Sequence, residues 1–253
     1  MTSSQRPKAP QLTHFLCFAL VTPASQPQLS ASIASFKDHV IRPTQLGGFG
    51  LPPDAVRPVG TLHLTLGMMS FPKNEGLERA IAVLKSLKPR EILAAIKRPA
   101  MPGSLEASAV TEENAPSSFS ITLMGLNSMQ KPDKATVLYA PPLDPNGTLQ
   151  NFAEKIKATF QDAGLLLPEN RPLLLHATIV NTTYVKKDRR KGQRRDRIII
   201  KDTQAIIDRY EDQVWIEAMS LDKIAICRMS AKPVEQNGAV VDAKYEVEAE
   251  IDV

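Results

Sequence analysis

Thr61-Leu62-His63-Leu64-Thr65-Leu66-Gly67-Met68-Met69 and Leu174-Leu175-His176-Ala177-Thr178-Ile179-Val180-Asn181-Thr182 are the two stretches on which the reading of this chain turns. Each holds the run apolar, His, apolar, Thr, apolar. A period of two predicts strands over 61–69 and 173–182, because alternate side chains of a strand point to opposite faces. His63, Thr65 and Gly67 then share one face, with Leu62, Leu64, Leu66 and Met68 on the other. In the second stretch His176, Thr178 and Thr182 share a face, opposite Leu175, Ala177 and Ile179.

A His and a Thr two apart present an imidazole and a hydroxyl to one cleft, about 6–7 Å apart along the strand. Two such strands side by side surround a small anion with two imidazoles and two hydroxyls. Histidine titrates near neutral pH, so one ring can take a proton while the other gives one. Threonine hydroxyls can donate to the non-bridging oxygens of a phosphoryl group. That set suits phosphodiester cleavage and requires no metal. A single His-x-Thr on a half-exposed sheet face is commonplace, since Thr is a good strand former. Two copies in matched apolar strands are not, in a chain with four histidines. Of the others, His39 ends a helix and is expected at the surface, and His14 opens the first strand, where it could border the cleft, but no catalytic role is expected of it.

Outward from the motifs, strands are predicted at 14–21, 119–126, 136–140, 197–201, 214–219, 223–229 and 244–253. Helices are predicted at 28–40, 75–87, 148–163 and 203–211 from apolar residues at helical spacing. Gly164 should stop the third of these helices. Tyr245, Val247, Ala249 and Ile251 are expected inward, against an outer face of Glu246, Glu248 and Glu250. Interleaved helices and one-faced strands make this an α+β chain with antiparallel sheets. Its 253 residues, 43% hydrophobic and 23% charged, suffice for a substantial core. Residues 1–11 read as a disordered tail, and 12–253 as a single bilobal domain. No apolar run approaches the ~20 residues that cross a bilayer. No membrane association is expected, and the location is expected to be intracellular, nucleus or cytoplasm.

Cys17 and Cys227 sit in apolar runs without metal-ligand spacing, and two buried thiols are expected. The formal net charge of +4 is uneven. The stretch 186–197 holds eight basic residues against two aspartates, so it carries +6 and leaves the remainder at −2. A basic loop there would hold an RNA backbone through Lys186, Lys187, Arg189 and Arg190, or act in nuclear import, or be merely solvated. Phe15 and Tyr184 are candidates for stacking on a base, or else pack in or beside the core. Asn181 is assigned a structural role.

The two motifs with their flanks resemble the paired motifs of the 2H phosphoesterase superfamily, and most closely its A-kinase anchor protein 7-like phosphoesterase domain. That domain also occurs in activating signal cointegrator 1 complex subunit 1. Thr13-His14-Phe15-Leu16-Cys17-Phe18-Ala19-Leu20, Val137-Leu138-Tyr139-Ala140 and Phe160-Gln161-Asp162-Ala163-Gly164-Leu165 resemble it as well. The resemblance implies a bilobal, pseudo-symmetric pair of antiparallel sheets flanked by helices, the 2′,5′ RNA ligase-like fold, with the motif strands lining a central groove. It implies a phosphodiesterase acting on 2′,3′-cyclic phosphates or 2′,5′-linked oligonucleotides. His63 and His176 would be the acid/base pair, and Thr65 and Thr178 the phosphate donors. No cofactor is implied, and a monomer is expected. The alternatives are a nucleotide- or RNA-binding module without turnover, and a subunit of a coactivator or repair complex with protein partners. The segment ahead of Thr13 is too short for an RNA-binding KH domain, which weighs against the complex.

Overall fold

The computed structural model describes residues 10–97, 119–185 and 198–253. The elements along them are β1 (His14–Ala19), α1 (Gln26–Val40), β2 (His63–Met69), α2 (Leu77–Ser86), α3 (Pro89–Lys97), β3 (Ser120–Met124), β4 (Asn127–Ser128), β5 (Val137–Ala140), α4 (Thr148–Asp162), β6 (Ala177–Asn181), α5 (Thr203–Arg209), β7 (Val214–Ser220), β8 (Lys223–Arg228), β9 (Lys232–Gln236), β10 (Ala239–Lys244) and β11 (Val247–Asp252). Four antiparallel assemblies result: β11-β8-β1-β2, β4-β5-β6, and the ribbons β3-β7 and β9-β10. The chain is therefore α+β, as its pattern predicts. The basic stretch 186–197 and all but the last two residues of the predicted tail lie outside the described residues. Among the described residues no helix is long and apolar enough to cross a membrane.

The helices form where apolar residues recur at helical spacing. Helix α1 buries Leu29, Ile33, Phe36 and Val40, and α4 buries Leu149, Phe152, Ile156 and Phe160. Asp144 accepts from the backbone N–H groups of Leu149 at 3.1 Å and Gln150 at 2.8 Å, which satisfies two amides of the first turn of α4. Gly164, at φ +67°, ends the same helix, and Leu165 N–H returns to Phe160 O at 3.0 Å. These faces meet the sheets in one contiguous core that includes Trp215, Phe18 and Leu64. The indole N–H of Trp215 donates to Gly125 O at 2.8 Å, so its burial leaves no orphan donor.

Several local expectations are corrected. Residues 198–200 form no strand; they dock instead through Ile200 N–H to Ala135 O (2.8 Å) and Ile198 O from the Thr182 hydroxyl (2.6 Å). A bulge between Val247 and Ala249 breaks the alternation of β11. Val247 is consequently exposed, and Glu248 turns partly inward to accept from Arg228 at 2.6 and 2.7 Å. His39 is half-buried, with Nδ1 2.5 Å from the Tyr210 hydroxyl and Nε2 3.0 Å from Gly47 O. His14 does not border the cleft: it is fully buried on the core face, against Phe71. Helix α3 and the β9-β10 hairpin, turning at Asn237 and Gly238 with φ +53° and +77°, go beyond the predicted elements. The two cysteines are free and buried, with Sγ atoms 3.9 Å apart.

Candidate active site

Strands β2 and β6 are edge strands of different sheets, and they approach one another in space. His63 opens β2, and His176 stands immediately before β6. Each side chain of the quartet is half-buried, whereas Leu64, Leu66, Ala177 and Ile179 are fully buried on the core side. Thr65, His176 and Thr178 line a groove of about 280 Å³. His63 lies close enough to His176 for a charge on that ring to lower the pKa of His63. Three of the four residues read as pairs in sequence thus share one groove, with His63 near His176 beside it. A larger hollow of about 630 Å³ is lined by His39, Arg42 and Arg209 and holds none of the four.

Both motif strands share an irregularity that alternation alone does not reveal. Cys17 pairs with Thr65 and Leu16 with Gly67, so Leu66 is the extra residue of a bulge. Tyr139 pairs with Thr178 and Leu138 with Val180, so Ile179 is another. In each strand the bulge follows directly after the threonine and reverses the facing of what comes next. Met68, expected on the core face, therefore joins the site side with Phe15 and Cys17. Thr182 does not share the face of His176; it is buried, donating to Ile198 O at 2.6 Å. Asn181 takes its place on the groove wall while also accepting from Thr183 N–H at 3.0 Å.

The two imidazoles are held alike. Nδ1 of His63 lies 2.8 Å from Thr61 O, and Nδ1 of His176 lies 2.8 Å from Leu174 O. A carbonyl can only accept, so Nδ1 carries the proton and Nε2 is left free for chemistry. An aromatic from the neighbouring strand supports each ring: Phe15 beside His63 at 4.6 Å, and Tyr139 edge-on to His176 at 5.4 Å. Phe15 is only 2% exposed, so it cannot stack on a base; it braces His63 instead. Tyr184 is 49% exposed, and the Arg57 guanidinium lies 3.8 Å from its ring centroid. Lys186, Lys187, Arg189 and Arg190 lie outside the described residues.

Burial lowers the pKa of both histidines. His63 falls to about 4, through burial first and then the nearby His176 and Arg57, against a raising contribution from its bond to Thr61. His176 is lowered by burial and by Arg171, against its bond to Leu174. Both rings are neutral at pH 7 in the free protein, ready to accept a proton. Among the described residues no group of three or more His, Cys, Asp or Glu is placed to hold a metal ion.

The sequence reading missed Tyr139, Tyr245, Arg57 and Arg171. Tyr245 sits edge-on to His63 at 5.4 Å and to Phe15 at 4.9 Å, and burial pushes its hydroxyl up to about 12. Tyr139 stood in a quoted strand without a role. Arg57 was the lone charge between Ala55-Val56 and Pro58-Val59, a signal that was there to read.

The AKAP7 2′5′ RNA ligase-like domain model matches residues 12–253. An uncharacterized protein of Schizosaccharomyces pombe is 25% identical over 213 residues, covering 84% of this chain and 86% of that one. Among solved structures, TT0787 of Thermus thermophilus shares 15% identity with a TM-score of 0.50, over 95% of this chain and 97% of that one. E. coli LigT, crystallised with 3′-AMP, shares 15% identity with a TM-score of 0.46, over 96% and 98%. At 15% identity the likeness to TT0787 is one of fold alone. With the family model spanning the described sheets and both motif strands, the chain belongs to the AKAP7 2′5′ RNA ligase-like domain family.

Proposed function

We propose that this protein is a metal-independent phosphodiesterase that opens 2′,3′-cyclic phosphates or cleaves 2′,5′-linked oligonucleotides. The observation that supports this reading is that Thr65, His176 and Thr178 line one groove with His63 near His176, each imidazole offering Nε2. The phosphate would lie between the imidazoles, with the Thr65 and Thr178 hydroxyls donating to its non-bridging oxygens. His63, whose pKa is pushed to about 4, takes the proton of the attacking water. His176, bound with its proton once the phosphate anion is present, delivers that proton to the departing ribose oxygen. A phosphomonoester and a free hydroxyl result, and the proton ends on His63, from which solvent returns the pair to its starting state.

The test is hydrolysis of 2′,3′-cyclic AMP and 2′,5′-oligoadenylate with EDTA present, by wild type and by a His63→Ala/His176→Ala double variant. Wild type should form product and the double variant should not. Equal rates, or loss of the wild-type rate in EDTA, would overturn the reading.

A further inference from the structure

A charge stands beside the quartet that the mechanism above does not use. Arg57 is 7% exposed, and among the described residues it forms no ion pair. Buried arginines are ordinarily matched by a carboxylate, because an unmatched charge away from water is costly. This one has the π face of Tyr184 at 3.8 Å, and the Tyr245 hydroxyl faces it. Both contacts hold a guanidinium in place, and neither neutralises it.

Its backbone is fixed just as firmly. The N–H of Arg57 donates to Ile179 O at 2.8 Å, and Val56 bridges to Val180. Ile179 is the bulged residue that follows Thr178. Arg57 is thus anchored to the second motif strand, while its charge is felt at His63 of the first. It stands at the seam where the two strands meet. Arg171 also lines the groove and its charge reaches His176, but it is exposed, so water weakens its pull on an anion more than it weakens that of the buried Arg57.

We propose that Arg57 is the anion-binding residue of this site, its guanidinium meeting a non-bridging oxygen of the phosphate held between His63 and His176. The inference rests on the phosphodiesterase reading for its substrate, but not for its anion. With both imidazoles neutral and the threonine hydroxyls uncharged, the quartet supplies no positive charge to an incoming phosphate. The guanidinium supplies one that is desolvated in advance, and its planar fork suits two oxygens at once. An arriving anion also cancels the repulsion that Arg57 exerts on His63, which makes protonation in the bound state easier.

The experiment uses the full chain as wild type, Arg57→Met, Arg57→Lys and Arg57→Gln. Inorganic phosphate is titrated by calorimetry, and 2′,3′-cyclic AMP hydrolysis is followed from pH 4 to 8. Arg57→Met should weaken phosphate binding roughly 10- to 100-fold. Arg57→Lys should fall between it and wild type. In both Arg57→Met and Arg57→Gln the acidic limb of the rate profile should move to higher pH, as His63 loses a repelling cation. If Arg57→Met does not fold, Arg57→Gln and Arg57→Lys are read on the same titration. Phosphate binding and pH limb unchanged in the folded variants would overturn the inference. So would Arg57→Lys losing as much binding as Arg57→Met together with a lowered Tm, since that marks a purely structural role. A wild type that binds phosphate through Arg57 but turns nothing over keeps this inference and ends the phosphodiesterase reading. A wild type that hydrolyses as fast as Arg57→Met does the reverse.

Discussion

His63 and His176 share one constraint: in each, Nδ1 lies 2.8 Å from the carbonyl oxygen two residues upstream, which leaves Nε2 free to act. Asparagine places an amide N–H near the Nδ1 position and nothing near Nε2. His63→Asn and His176→Asn should each lower kcat/KM for 2′,3′-cyclic AMP by roughly 10²–10⁴, with Tm changed by only a few degrees. Steady-state hydrolysis beside a thermal melt checks this. A folded asparagine variant within threefold of wild type would remove that ring from the chemistry.

The depressed pKa of His63 has a consequence for stability. The folded protein holds His63 neutral down to about pH 4, while the unfolded chain takes the proton near 6.5. Between those values the unfolded state binds more protons, so stability falls as the pH drops from about 6.5 to 4. The loss is on the order of 3 kcal/mol when complete. Urea denaturation of wild type and His63→Asn from pH 7 to 4.5 should show a shallower decline for the variant. Parallel declines would contradict it.

Thr65 and Thr178 enter only as hydroxyl donors. Removing either by Thr→Ala should cost about 10²-fold in kcat, the size expected for one donor to a transition-state oxygen. Serine at the same positions should keep most of the rate. If alanine raises KM and leaves kcat untouched, the hydroxyls bind the ground state and do not stabilise the transition state.

Phe15 braces His63 at 4.6 Å from a buried position. Phe15→Ala opens a cavity under the imidazole and should destabilise the protein by about 3–5 kcal/mol, whereas Phe15→Leu should cost less. A folded Phe15→Leu should still hydrolyse more slowly than its stability alone explains, because the ring loses its support. Unchanged kcat in Phe15→Leu would reduce Phe15 to core packing.

The motif strands were readable because alternation over Leu62–Leu66 and Leu175–Ile179 follows from backbone geometry alone. What alternation could not give was the bulge at Leu66 and at Ile179, since an extra residue in a pairing leaves no mark on a single strand's pattern. The misplacements of Met68, Thr182 and Asn181 follow from it, as that of Val247 follows from the bulge in β11. The β9-β10 hairpin carried a readable Asn237-Gly238 turn signal, but its flanks, Lys232–Gln236 and Ala239–Lys244, are mostly exposed and lack the apolar stripe that marks a strand. Arg57 lies far from Tyr184 and Tyr245 in sequence, and only the folded chain puts the three together.

A crystal structure with bound vanadate, a mimic of the five-coordinate phosphoryl transition state, tests the central claim most directly. The account predicts vanadium between Nε2 of His63 and Nε2 of His176, with equatorial oxygens about 2.7–3.0 Å from the Thr65 and Thr178 hydroxyls. Vanadate bound elsewhere, or touching one histidine with the other turned away, would contradict it.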